Sequence, residues 1–140
     1  MDYPALLTAL PQAVVTAVSG TPQGLTTTAQ VTVGDSRPVA SAEFCWIRPS
    51  ETGPQVVNGF GGGFQWQYRF DVMLVKPSGT DAELEVWARQ LRAAWHGLRP
   101  VTVTGCSDFA LEDVRLDAHR GEGPDAELAF VLVVNGVETP

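Results

Sequence analysis

The chain has 140 residues, of which 44% are hydrophobic and 18% charged. That composition is globular and excludes a disordered tract, and the length suits one domain that needs no disulfide or metal to hold it. The formal charge of −7, with Lys76 as the single lysine, excludes tight nucleic-acid binding through a basic footprint, and no apolar run approaches the ~20 residues of a membrane helix.

In chain order, residues 3–10 predict a short helix, with Leu6, Leu7 and Leu10 on one face and Pro11 interrupting it. The N-terminal apolar run lacks a positive flank, since residue 2 is Asp2, so a secretory signal is not expected and synthesis in a cytosol is. Residues 13–18 fit a helix end or a strand. Residues 25–33, rich in Thr and Val, predict a strand, and residues 39–48 a second one, closed by Pro49. In that strand Phe44 and Trp46 share one face, Cys45 and Ile47 the other.

Residues 49–63, PSETGPQVVNGFGGG, show no periodicity and predict a long, flexible, glycine-softened loop. From Phe64 to Lys76 the alternation is sustained. Phe64, Trp66, Tyr68, Phe70, Val72 and Leu74 form an apolar face, opposed by Gln65, Gln67, Arg69, Asp71, Met73 and Val75. This is the longest predicted strand.

Thr80-Asp81-Ala82-Glu83 is a capping box, and Leu84, Trp87, Leu91, Ala94, Trp95 and Leu98 follow at helical spacing. A helix is expected over about 80–96, stopped by Gly97 and Pro100. Val101–Thr104 predicts a short strand. Residues 109–119 alternate with a slip near Asp113, which predicts a bulge. Residues 120–125 form a turn, and 126–134 a strongly apolar strand that pairs back as a hairpin, leaving an exposed tail. The expected fold is α+β, one domain over 1–140, with a single mixed or antiparallel sheet packed against the main helix and a short N-terminal helix.

Chemical motifs are sparse. The glycines at 59 and 61–63 precede a strand and lack GK[ST] and GxGxxG, so no nucleotide cofactor is expected. Cys45, His96, Cys106 and His119 lack zinc-ligand spacing, and two reduced, partly buried thiols are the expectation. Cys106-Ser107-Asp108 are sequence neighbours, whereas a nucleophilic triad converges from separate elements. The carboxylates Glu112, Asp113, Asp117, Glu122, Asp125 and Glu127 read as a solvated acidic face. Trp66, Trp87, Trp95 and Tyr68 fall on core faces rather than on a stacking platform. A half-barrel enzyme with Asp71 or Glu43 as base is the catalytic alternative, and a small adaptor protein the non-catalytic one. Asp71 fits a salt bridge with Arg69 or Arg115.

The stretches YRFDVMLVKPSGTDAELEVWARQLRAAW, VTVTG and LEDVRLDAHRGEGPDAELAFVLVV resemble the tail-terminator (tail-completion) proteins of long-tailed bacteriophages, across residues 64–134. In that family a strand enters a P-x-G turn, an Ala-rich helix follows and a late apolar strand closes the sheet. The resemblance implies a non-enzymatic virion protein that forms a ring, a hexamer, at the head-proximal end of the tail tube. Its implied partners are its own copies, the tail tube protein and the head-side connector, with DNA passing through the lumen unbound and no membrane. It carries no catalytic, metal or cofactor residues over. Other neck or tail-tube roles fit the same pattern. For the subunit interface the expectation is that loop 49–63 reaches a neighbour through Val56, Val57 and Phe60, with Arg48, Glu51 and Arg69 as polar rim contacts.

Overall fold

A computed structural model describes residues 3–18, 25–39, 42–49, 55–77, 80–95, 103, 105–118 and 126–138. The fold is α+β. Two helices, α1 (Tyr3–Val18) and α2 (Asp81–Trp95), cover one face of a six-stranded mixed sheet. The strands are β1 (Val31–Val33), β2 (Phe44–Pro49), β3 (Gln55–Phe60), β4 (Gly63–Lys76), β5 (Cys106–Ala118) and β6 (Ala126–Glu138). Their order is β1-β2-β4-β6-β5. Among the described residues only β1 with β2 is parallel, and β3 also pairs with β4.

β4 is the axis of the sheet, and its alternation sets which face is core. Trp66, Tyr68, Phe70, Val72 and Leu74 are buried, while Gln65, Arg69 and Asp71 are exposed on the other side. β6 runs along the whole of one β4 edge, from Phe64↔Glu138 to Lys76↔Ala126. The other edge is shared end to end. β2 takes residues 70–75 and β3 takes 63–67.

α1 departs from expectation, since it runs through Pro11 to Val18. A mid-helix proline costs ~3 kcal/mol. Leu6, Leu10, Val14 and Val18 are fully buried on either side of it. At ~1.5–3 kcal/mol for each buried side chain, that stripe outweighs one lost hydrogen bond.

The strand expected over 25–33 shrinks to β1. The Gln30 side-chain carbonyl accepts from the Thr26 amide (2.9 Å), the Thr27 amide (3.2 Å) and the Thr26 hydroxyl (3.2 Å). These local bonds divert the backbone into a 3-10 turn over Thr28–Gln30. The strand expected from residue 39 begins at Phe44 instead, and Val39 is fully exposed. Gly34 and Arg37 hold the chain before this strand against the open face of the sheet. There Arg37 pairs with Glu127, bonds the Met73 sulfur (3.2 Å) and lies over the Phe44 ring (5.9 Å). Trp46 Nε1 donates to the Gly34 carbonyl at 2.8 Å.

Three further expectations change. Part of the stretch expected as a loop is strand β3. Val103 lies in no strand, and residues 101, 102 and 104 fall outside the described residues. The tail expected to be free from Asn135 continues as β6 to Glu138, because the first half of β4 supplies a ladder for it. The hairpin of β5 with β6 and its bulge between Glu112 and Arg115 match the sequence pattern, and a second register shift falls between Cys106 and Asp108.

α2 starts as the capping box dictates. The Glu83 amide donates to Thr80 Oγ1 (3.4 Å), and that hydroxyl donates to Glu83 Oε1 (3.3 Å). The Glu83 carboxylate also pairs with Lys76 Nζ at 2.6 Å, tying the end of β4 to the start of the helix. Lys76 lies 6.0 Å from the Trp87 ring centre. The hydrogen bond from Lys76 is the largest cause holding the Glu83 carboxyl below its ordinary value of 4.5; desolvation opposes it, and the Lys76 charge and the Thr80 contacts add smaller lowering effects. A depressed carboxyl contributes stability above its unfolded value and loses it as pH falls through the folded one. Thermal melts in a pH series are expected to show a shallower loss of stability below about pH 4.5 for Glu83→Gln than for the parent protein.

Candidate functional site: the hairpin arm and the open face

β3 and the first residues of β4 form a hairpin whose turn is Gly61-Gly62. Gly62 has φ +88°, the left-handed region that suits glycine in a tight turn. The side chains of β3 are exposed along its whole length. A register shift between Val56 and Asn58 leaves Val57 bulged, so successive side chains do not alternate cleanly. Val56 is 64% exposed, Val57 55% and Phe60 45%.

The arm is held together by its ladder and a few side chains. Phe60 stands opposite Gly63, and its ring fills the space that a side chain there would need. On the open face Asn58 Nδ2 donates to Gln65 Oε1 (3.5 Å) and Gln67 Nε2 to Asn135 Oδ1 (3.1 Å). Val137, opposite Gln65, adds a further exposed apolar side chain. The polar residues of the arm are therefore neutral amides beside exposed Val and Phe.

The six residues expected at an interface separate into two places. Val56, Val57 and Phe60 stand together on the arm. Arg48 and Arg69 lie further along the open face, Arg48 directly opposite Asp71 and Arg69 opposite Val133. Glu51 lies outside the described residues. Sequence reading missed Arg37, whose pairing with Glu127 spans distant elements, and Val137, which it placed in a tail.

The chemical alternatives gather no constellation among the described residues. No three His, Cys, Asp or Glu side chains there stand close enough to hold a metal, and His96 and His119 fall outside them. Cys45 and Cys106 are both reduced and buried. Burial pushes the Cys45 thiol far above the ordinary range, which suppresses the thiolate. Native protein is expected to leave Cys45 unmodified by iodoacetamide at pH 8 and to label it on unfolding, as counted by intact mass. Trp66, Trp87 and Trp95 are at most 2% exposed, so they offer no stacking surface. Asp71 is exposed on the sheet and Glu43 half-buried before β2. No described helix is long and apolar enough to cross a membrane.

No family model matches the chain, and no curated protein matches it. Among solved structures it is similar to a chain of the virion of a native gene transfer agent particle. The TM-score is 0.59 at 14% identity, over 98% of this chain and 100% of that one. At such identity the likeness speaks for the fold, and it is a likeness from end to end.

Proposed function

We propose that this protein is a structural component of a phage-like virion, and within it the tail terminator. In this reading copies of the chain close into a ring, a hexamer, on the head-proximal end of the tail tube. The ring ends tube growth and offers its far side to the head connector, and DNA passes through its centre. The observation that carries the virion assignment is the fold shared over the full chain with a gene transfer agent virion component. The terminator role rests on the sequence resemblance across residues 64–134, with an exposed apolar arm suited to reaching a neighbour.

Val56, Val57 and Phe60 expose apolar area to water on an edge strand, an arrangement soluble monomers avoid and assemblies use. A tube protein built on the same fold would grow open-ended, whereas a terminator closes at fixed number. Light scattering across a concentration series separates them. A ring gives a plateau at a fixed multiple of the 15.0 kDa protomer. Continued growth with concentration supports the tube reading, and a constant protomer mass with no place in purified particles supports an adaptor. In a producing strain, loss of the gene is expected to give headless tails of uncontrolled length by electron microscopy. Normal particles without it would defeat the proposal.

A further inference from the structure

Charge is unevenly placed along this chain. None of its sixteen acidic or nine basic residues falls within residues 3–34, and none within 52–68. The first stretch builds α1, the 3-10 turn and β1, which pack together. The second includes the arm. Every charge that gives the protein its net −7 lies outside these two stretches.

The solvent side of α1 is Pro4, Thr8, Gln12 and Thr16, spaced by four residues and exposed. Its polar groups bond locally. Thr8 Oγ1 donates to the Pro4 carbonyl (2.9 Å), and Gln12 Nε2 to Thr16 Oγ1 (3.2 Å). Exposed Thr26, Thr27, Thr28 and Ala29 extend this neutral flank towards β1. The contrast is α2, whose outward positions carry Glu83, Glu85, Arg89 and Arg92 in the ordinary manner of a water-facing helix. Depletion of charge is the compositional mark of an interface core.

We propose that the neutral flank of α1, the 3-10 turn and β1 receives the hairpin arm of the next copy of this chain. The inference rests on the ring reading and names the two surfaces that would make it. Copies that each carry −7 repel where charged faces meet, and the arm and the flank are the two surfaces that approach without that cost. Neither has an ion to strip of water. The arm brings Val56, Val57 and Phe60, and the flank brings threonine methyls, with the Thr8, Thr16 and Thr26 hydroxyls already bonded. In the ring reading each copy gives its arm to one neighbour and its flank to the other, a head-to-tail contact that makes a ring when its rotation closes.

The test places charge on each surface and measures self-association by light scattering and sedimentation. Gln12→Glu with Thr16→Glu is expected to weaken association at least tenfold and to lower the melting temperature by no more than about 3 °C, the cost of a like-charge pair one helical turn apart. Adding Gln55→Lys, a neutral and exposed position on the arm, to that pair is expected to restore most of the loss. Ala93→Glu, an exposed position on α2, controls for the added charge and should leave association within twofold. If the multimer forms and the Glu pair does not weaken it, the flank is not the receiving surface and the ring reading stands. If the parent protein keeps its protomer mass at every concentration, both fall.

Discussion

Gly136→Ala is expected to destabilise the protein by ~3 kcal/mol or more, at or beyond the upper end of ordinary overpacking. A β-carbon at Gly136 would lie 2.0 Å and 2.2 Å from two atoms of the Trp66 indole and 2.1 Å from the Gly105 carbonyl oxygen. Trp66 is 2% exposed and enclosed by the core, so the ring has no free space to enter. The Gly105 carbonyl is equally constrained. It accepts from the Val137 amide at 3.0 Å, and Gly105 sits in a left-handed turn at φ +89°. Nothing at this point gives cheaply, so the strand must shift or the indole must leave. For a domain of this size ~3 kcal/mol lowers the melting temperature by about 10 °C. Gly59→Ala is the matched control, because a β-carbon there meets nothing within 4 Å. In a double-mutant cycle Trp66→Leu is expected to relieve part of the Gly136→Ala penalty, since it removes the indole contacts and leaves the carbonyl one. A Gly136→Ala protein that melts within 2 °C of the parent, ~0.5 kcal/mol, would overturn this account.

Gly136 also shows where sequence reading stopped. Asn135-Gly136 has the form of a turn signal, and residues after Val134 read as a tail. The strand continues because a glycine is what lets β6 pass beneath Trp66. Tertiary fit overrode local propensity, and a single sequence does not reveal which indole will lie over which glycine. The same holds at Pro11, where a stripe of buried aliphatics on both sides carries the helix through. At Thr26–Gln30 one side-chain carbonyl redirects a stretch of strand formers. By contrast β4, α2 and the β5–β6 hairpin were legible because their signals are local and redundant. They rest on sustained alternation, a capping box with a helical stripe, and a phase slip that marks a bulge.

The arm was only half legible. Its apolar residues stood out, and the strand they occupy did not. A strand is read through alternation between a wet and a buried face, and β3 has no buried face. The bulge at Val57 removes what alternation remained. Its regularity lies in backbone bonds to β4, which leave no trace in side-chain pattern. Of the residues expected at an interface, Arg48 and Arg69 belong with the open face and its partner Asp71, away from the arm, so they are separable by mutation from Val56, Val57 and Phe60.

That separation gives the second large effect. Replacing Val56, Val57 and Phe60 together by serine is expected to abolish self-association and leave the body folded. In the isolated chain these side chains are roughly half exposed or more, so their loss removes little burial. Exposed substitutions usually stay within about 0.5 kcal/mol each. Phe60 is the exception, because its ring covers Gly63 at the mouth of the hairpin, and the cost there stays within the arm. In a docked state the same side chains become anchors, and truncating a central aromatic or aliphatic anchor costs ~2 kcal/mol or more. Even ~1 kcal/mol from each of three residues sums to a loss above 100-fold in affinity, since each ~1.4 kcal/mol is tenfold. Melting followed by circular dichroism, paired with light-scattering mass, reads both sides at once. The two measurements should part company, with a melt within about 5 °C of the parent and association lost. A triple variant that still assembles would remove the arm from the interface. One that unfolds would show that β3 belongs to the stability of the sheet rather than to contact between copies.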